Sequence, residues 1–358
     1  MSALSELFNE TTLCLPCSPL RKADGEIPLA GHQLKVVALS TPVGSGIWRK
    51  LGFVLWLAQS AWALLKEMRR ADAVHAPIPG DVGTVGMVLA WVMRKPLFVR
   101  YCGNWFVQTT AAEHFWKWFM EKFAGGRNVM LATGGASESP SRRNPNLGWI
   151  FSTSLTRREL QTAAPSVKVI DNSLRLIIIC RQEMEKVTGV VIESLPLIKE
   201  IFPEATLDVV GDGSALPRFK HLAASLGLQD QIRFHGKVDH KGVRKLLKNA
   251  DVFCYPTTSS EGFPKVVLEA LAHGLPVVTT NVSVLPILIS TGCGTLISQA
   301  EPEQLARAVI NIALDGPRYH QMSAQAVHTA GQYSLERWRD SIGDQLQLAW
   351  GRQLRSDV

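Results

Sequence analysis

From residue 175 onward the chain alternates short β-branched apolar runs with amphipathic stretches, and nothing else in the sequence restricts the fold as strongly. Arg175–Cys180, Thr206–Val210, Ile232–Phe234, Val252–Tyr255 and Pro276–Thr280 read as strands. Helical spacing occupies Val187–Ile201, Ala215–Leu226, Lys241–Lys248, Pro264–His273 and Pro302–Leu314. Strands separated by helix-length segments cannot pair as hairpins, so they line up parallel and need helices over both faces of the sheet. The fold class is therefore α/β. Turn residues fall where such units need them, as in Gly211-Asp212-Gly213 after the second strand and Gly274 after the fourth helix.

In the first half, Lys35–Ser40, Asp72–Ala76 and Pro96–Tyr101 read as strands beside helical segments 51–68 and 83–94, which suggests a second sheet of the same type. A chain of 358 residues exceeds what one core organises, so two domains are expected. We place them at 1–168 and 169–333, joined by a linker at Pro165–Ser173, with a last helix at about 334–358 packing back on the first domain. The polar stretch Thr133–Asn146, rich in Gly, Ser and Pro, reads as a mobile surface loop.

The balance of 46% hydrophobic and 19% charged residues excludes disordered and fibrous classes. The net charge of +7 is uneven: residues 1–150 hold 16 Lys and Arg against 10 Asp and Glu, together with eight of the ten tryptophans. Basic charge with Trp points to an anionic membrane surface, or to Trp buried beneath a basic exterior. Leu51, Val54, Leu55, Ala58, Trp62 and Leu65 fall at helical spacing between basic ends, which would suit a helix lying on a bilayer or one packed on the first sheet. The basic residues form no continuous stripe, which argues against a nucleic acid. Met1–Cys17 lacks the basic start and apolar stretch of a secretory leader. Leu51–Leu65, broken by Gln59 and Ser60, is shorter than the roughly 20 residues a spanning helix needs. The expectation is a cytoplasmic protein, peripheral on the inner face of the membrane. Cys14 and Cys17 have C-x-x-C spacing but no partner pair or His cluster, so no metal is expected.

The chemistry concentrates in Glu261-Gly262-Phe263-Pro264-Lys265, followed by Glu269. Pro264 suits the first turn of a helix, so outward-pointing N–H groups and the positive end of a dipole are expected there, a natural seat for a phosphate. Glu261 and Glu269, a loop and a turn and a half apart, suit hydroxyl groups of a sugar and a ribose better than an opposed acid and base. Arg181 and Lys186 follow the first strand of the second half, at the edge where open parallel sheets bind ligands, and suit a diphosphate.

These motifs together, R-x4-K at Arg181 and Lys186, V-G-D-G at Val210–Gly213, F-H-G-K-V at Phe234–Val238 and E-x7-E at Glu261 and Glu269, resemble the retaining glycosyltransferases of family 4, glycosyl transferases group 1. The resemblance covers about 170 residues from Leu174 onward. It implies a GT-B fold, two Rossmann-like domains facing a central cleft. It also implies transfer of a sugar, with retention and without a metal or other cofactor, from a UDP- or GDP-type donor to a glycan, lipid-linked or polysaccharide acceptor. By the same resemblance Arg181, Lys186 and Glu261 are catalytic. Gly211, Gly213, Gly236, Lys237, Val238, Gly262, Phe263, Pro264 and Glu269 would bind the donor, with Glu261 on sugar hydroxyls and Glu269 on the ribose.

The first half departs from the family. Met1–Phe8 reads as the end of a helix and Asn9–Cys17 resembles the family's second strand, so the first strand and its Gly-rich loop are missing or replaced; Gly44-Ser45-Gly46 lies too late to substitute. A non-catalytic nucleotide-sugar binder or partner subunit with a truncated acceptor domain is therefore the alternative. Cys102-Gly103-Asn104-Trp105 stands where many members carry a His, which leaves Asn104 and Trp105 as cleft candidates of the first domain and His75 as a weaker one.

Overall fold

Among the described residues every pair of strands is parallel. The computed structural model describes residues 2–17, 29–41, 46–136, 138–163, 170, 172–259 and 262–355, with backbone alone at 46–55 and 58. Two units emerge, Met1–Ile150 with Trp338–Val358, and Phe151–Arg337.

The first unit opens with α1 (Ser2–Ser5), then β1 (Thr11–Pro16) and β2 (Leu34–Leu39), which form a two-stranded sheet. After α2 (Gly46–Arg70) come β3 (Val74–Ile78), α3 (Asp81–Val92), β4 (Leu97–Tyr101), α4 (Ala111–Phe123), β5 (Asn128–Thr133) and β6 (Leu147–Ile150). These four strands lie in the order β3-β4-β5-β6. Their core includes Met87, Val99, Tyr101, Met120, Met130 and Leu147. A capping box starts α4: the Thr110 side chain accepts from the Glu113 N–H, and the Glu113 carboxylate accepts from the Thr110 N–H.

Two expectations for this unit need correction. The described buried residues of α2 are Trp56, Ser60, Leu64 and Met68, one every four positions, whereas Trp62 is 70% exposed. Four-residue spacing sets the face that meets the sheet, and the expected stripe through Trp62 is rotated away from it. Leu51, Val54, Leu55 and Ala58 lie outside the described side chains. The stretch 133–146 was expected to be mobile, but its described residues are tied down. The Trp105 and Trp149 indole N–H groups donate to the carbonyls of Pro140 and Glu138, Ser139 donates to the Leu147 carbonyl, and Asn144 donates to those of Glu121 and Ala124.

The second unit contains α5 (Arg157–Ala163), β7 (Arg175–Ile179), α6 (Thr188–Lys199), β8 (Thr206–Val210), α7 (Leu216–Ser225), β9 (Ile232–Gly236) and α8 (His240–Asn249). It continues through β10 (Val252–Tyr255), α9 (Lys265–Ala272), β11 (Val277–Thr280), α10 (Leu285–Ile289), β12 (Gly294–Ile297), α11 (Pro302–Leu314) and α12 (Gly316–Gly331). Its sheet runs β12-β11-β10-β7-β8-β9. Counted within the unit and read from its other edge, that order is 3-2-1-4-5-6, the doubly wound arrangement in which the chain starts at the centre and winds out both ways. Helices cover both faces and bury two apolar layers, one around Ile178, Leu195 and Val309, the other around Ile177, Phe253 and Leu271.

The division falls earlier than residue 168 because Leu155 and Leu160 belong to the second unit's core, and the Leu335 N–H donates to the Leu155 carbonyl at 2.8 Å. The linker expected at 165–173 lies largely outside the described residues, as do Gly44 and Ser45. The final helix α13 (Leu335–Trp350) begins at the end of the second unit, and from Trp338 it belongs to the first. Trp338, Ile342 and Leu346 are buried, the Arg339 guanidinium pairs with Glu6 at 2.5 Å, and the Trp350 indole donates to the Arg127 carbonyl.

Candidate functional site

The strand order of the second unit changes direction between β7 and β10, where one connection winds left and the other right. This opens a crevice at the carboxyl ends of those strands. The two loops that leave them are tied together: the Thr258 N–H and hydroxyl both donate to the Glu185 carbonyl, at 3.3 and 3.1 Å. The R-x4-K loop and the loop entering α9 are thus neighbours at this edge.

On the β7 side, Arg181 is exposed while Lys186 is 3% exposed, at the end of a one-turn 3-10 helix, Met184–Lys186. Val187 follows in the left-handed region, φ 58° and ψ 34°. A β-branched residue pays strain there, so the joint is held by its surroundings, and it leads straight into α6. Gln182 does much of that holding. Fully buried, it donates from Nε2 to the Val210 and Cys180 carbonyls at 3.0 and 3.2 Å and accepts from the Thr188 hydroxyl at 2.8 Å. Its own N–H donates to the Asp212 carbonyl, and its carbonyl accepts from the Ala215 N–H. The Glu183 carboxyl accepts from the Ser214 hydroxyl and N–H; these bonds hold it below the usual carboxylate range, and Arg181 adds to the effect.

These bonds bring the V-G-D-G turn against the R-x4-K loop. A Cβ on Gly211, φ 115°, would stand 1.8 Å from the Cys180 carbonyl oxygen, and one on Gly213 would stand 2.4 Å from that of Gln182. Gly236 joins the group through its carbonyl, which accepts from the Gly211 N–H at 2.8 Å. Of the residues after it, Lys237 is exposed and Val238 packs partly on the core.

On the β10 side, helix α9 starts at Lys265, one residue later than expected, and Pro264 occupies the cap position with no side-chain hydrogen bond. The start of α6 also lacks a side-chain cap, whereas α8, farther from the crevice, is capped by Asp239, whose carboxylate accepts from the Gly242 N–H at 2.7 Å. The starts of α7, α10 and α11 lack a side-chain cap as well, and the Val190 and Val267 N–H groups turn back to the Val187 and Pro264 carbonyls, so an anion at α6 or α9 would meet the N–H groups before those two. Phe263 is buried with Phe151 and Tyr333, ring centroids 6.2 and 5.6 Å away, so only its backbone faces outward chemistry. Gly262 is half-buried, and Glu261 lies outside the described residues.

Glu269 is buried, and its Oε1 accepts from the Ser154 hydroxyl at 3.1 Å and meets His240 Nε2 at 3.3 Å. This carboxylate is oriented by partners from two other elements, one of them the first residue of α8 after the Lys237–Val238 loop. Gln182, Ser154 and His240 were not singled out by the sequence. Ser154 lies 115 positions from Glu269, and the sequence holds no local signal for that contact.

The candidates of the first unit have structural work instead. Trp105, expected in a cleft, is 2% exposed and packs edge-on against Tyr101 at 5.5 Å. The Asn104 carboxamide oxygen accepts from the N–H groups of Phe106 and Val107 and closes a local turn. His75 is half-buried, with its Nε2 atom fully buried, and stacks on Phe98 at 4.6 Å; desolvation above all, helped by Arg100, pushes its pKa down to about 3, so the ring is neutral.

The family model of glycosyl transferases group 1 matches residues 163–329. Over those residues, just under half of the chain, the second unit is similar to this family. The match spans the whole of the crevice, from the R-x4-K loop to α9. Among curated members, a phosphatidyl-myo-inositol mannosyltransferase of Mycobacterium leprae is 32% identical over 149 residues, 40% of this chain and 39% of that protein's length. Among solved structures, HepE of Anabaena in complex with UDP superposes with a TM-score of 0.71 at 17% identity, covering 88% of this chain and 87% of that one. WaaG, a glycosyltransferase involved in lipopolysaccharide biosynthesis, gives 0.61 at 17% identity, covering 92% and 89%. These likenesses extend over both units and show the GT-B fold.

Proposed function

We propose that the chain transfers a sugar, with retention, from a nucleoside-diphosphate sugar to a lipid-linked or polysaccharide glycan at the inner membrane face. The observation that carries the reading is the crevice between β7 and β10, where a buried lysine, uncapped helix starts and an oriented glutamate share one sheet edge. Breaking the bond between the anomeric carbon and the phosphate oxygen builds negative charge on the leaving diphosphate. Arg181, Lys186 and the first turn of α9 meet that charge as fixed partners that need no reorganisation during reaction. Glu269, held through Oε1, turns its carboxylate to the ribose hydroxyls, and Glu261 serves the hydroxyls of the sugar. The backbone of Gly262 and Phe263 approaches the sugar or phosphate, Pro264 starts the helix beneath them, and Gly236, Lys237 and Val238 border the base. Gly211 and Gly213 form the turn beside the donor. The acceptor hydroxyl attacks on the face the diphosphate leaves and gives its proton to that diphosphate as the old bond breaks and the new one forms, so configuration is retained and positioning supplies much of the rate.

UDP is the favoured base because HepE was crystallised with it, and a lipid-linked acceptor accords with the names of the mannosyltransferase and WaaG. Thermal shift against UDP-, GDP- and ADP-sugars tests the donor. A ligand at about 100 times its Kd stabilises by about 2.7 kcal/mol, and one class should do so. Lys186→Ala should lower kcat by roughly a hundred-fold, because the charge it meets is largest in the transition state. Loss confined to KM would remove Lys186 from that role, and the absence of any nucleotide-sugar shift would defeat the reading as a whole. Donor binding without transfer or donor hydrolysis would select the non-catalytic alternative.

A further inference from the structure

The two oxygens of the Glu269 carboxylate are treated differently. Oε1 accepts from the Ser154 hydroxyl at 3.1 Å and stands 3.3 Å from His240 Nε2, while Oε2 has no protein partner among the described residues. The residue is 7% exposed, so one oxygen is tied off inside the protein and the other is left to a ligand.

Both ties are themselves held in place. On one side of Ser154 the buried Thr153 hydroxyl accepts from the Leu155 N–H at 3.1 Å. On the other, Leu155 is part of the second unit's core, and its carbonyl accepts from the Leu335 N–H at 2.8 Å. His240 is the first residue of α8, set by the Asp239 cap, and a turn later the same helix sends Arg244 to Glu159 of α5 at 3.0 Å. Burial alone would raise the Glu159 carboxyl, but bonds from the Thr156 N–H and hydroxyl, with the charges of Arg244 and His240, bring it below the usual range. The His240 imidazole thus lies near carboxylates of both α5 and α9, and the first turns of α8 are anchored to both helices.

A carboxylate free to rotate could meet a ribose hydroxyl in many orientations and adapt where one is missing. A carboxylate fixed through Oε1 presents Oε2 at one place. Where the matching hydroxyl is absent, a charged acceptor in a buried side chain is left unpaired, which costs far more than a lost surface bond.

We propose that Ser154 and His240 are positioning residues that make the donor site selective for ribonucleotides over forms lacking the 2′- or 3′-hydroxyl, by fixing the Glu269 carboxylate through Oε1 and leaving Oε2 to the ribose. This selectivity rests on the proposed function, in which Glu269 holds the ribose; Ser154 and His240 turn that hold into discrimination.

The test is calorimetric titration of the full chain with UDP and GDP and, for the one that binds, with its 2′-deoxy and 3′-deoxy forms. At least one deoxy form should bind at least roughly ten-fold more weakly than its parent. In Ser154→Ala with His240→Ala the parent should weaken to within roughly three-fold of that deoxy form, while affinity for the deoxy form stays as it was. A merely damaged pocket would weaken both together. Ser154→Ala alone, at an exposed residue, should give the same change to a smaller extent, so the test survives a double variant that melts low. Ser154→Thr and His240→Gln keep a donor beside Oε1 and should keep the preference. No preference in the original chain, preference retained in the double variant, or parent and deoxy forms weakened equally would each overturn the proposal. Glu269→Ala separates the two readings. If it leaves the preference intact, Glu269 does not hold the ribose and both assignments fail, whereas preference lost in Glu269→Ala but kept in the double variant defeats only the roles of Ser154 and His240. Binding of neither UDP nor GDP defeats the sugar-transfer reading and this one with it.

Discussion

At the scale of single residues, the glycines show how sharply the second unit's loops are fixed. Gly211 combines φ 115° with a carbonyl oxygen where its Cβ would be, 1.8 Å away, whereas a Cβ on Gly236, φ 63°, would meet nothing within 4 Å. Gly211→Ala therefore faces both backbone strain and a clash with a main-chain atom that cannot swing aside, and should cost about 3 kcal/mol or more. Gly236→Ala faces strain alone and should cost about 1–2 kcal/mol. Urea denaturation of the two variants checks this, and equal costs would show that the Cys180 carbonyl yields. The glycines were legible in the sequence as turn formers, but the reason for Gly211 was not, because the atom it avoids belongs to a loop thirty residues earlier. Glu269 follows the same rule: its identity could be read locally, whereas Ser154 and His240, which orient it, could not.

At the scale of elements, the central strands β7, R-L-I-I-I, and β10, V-F-C-Y, were readable because they are buried on both faces and so written in runs of apolar residues. Strands β6, L-G-W-I, and β12, G-T-L-I, are four residues long and each contain a Gly, so neighbouring strands decide them. Helix α9 offers a test of the site at this scale. Lys265, its first residue, is exposed. A carboxylate there complements the dipole, so Lys265→Glu should leave stability unchanged or raise it by about 0.3–0.5 kcal/mol. The same charge repels a diphosphate seated on the first turn, so UDP-glucose affinity should fall roughly ten-fold. Calorimetric titration and thermal denaturation together separate the effects. Undiminished affinity would place the diphosphate away from α9, and affinity lost in step with stability would mean only a damaged helix.

At the scale of the whole molecule, the chain uses its last helix to complete a core begun hundreds of residues earlier. Ile342 and Leu346 are fully buried, Arg339 reaches Glu6, and Trp338 lies under Arg100, whose guanidinium is 5.1 Å from its ring. The first unit is thus assembled from both ends of the sequence, while the second is one continuous segment with its own two-layered core. Among the described residues no helix is long and apolar enough to cross a membrane. Separate cores predict separable responses. Leu346→Ala removes a fully buried side chain from the first unit and should cost about 2–5 kcal/mol there. Differential scanning calorimetry should then show one transition moved to lower temperature and the other unmoved, with a nucleotide sugar raising only the unmoved one. A single transition that shifts as a whole under both treatments would mean that the two cores melt as one cooperative body. The mutation would then lower the stability of both units alike, with or without a nucleotide sugar.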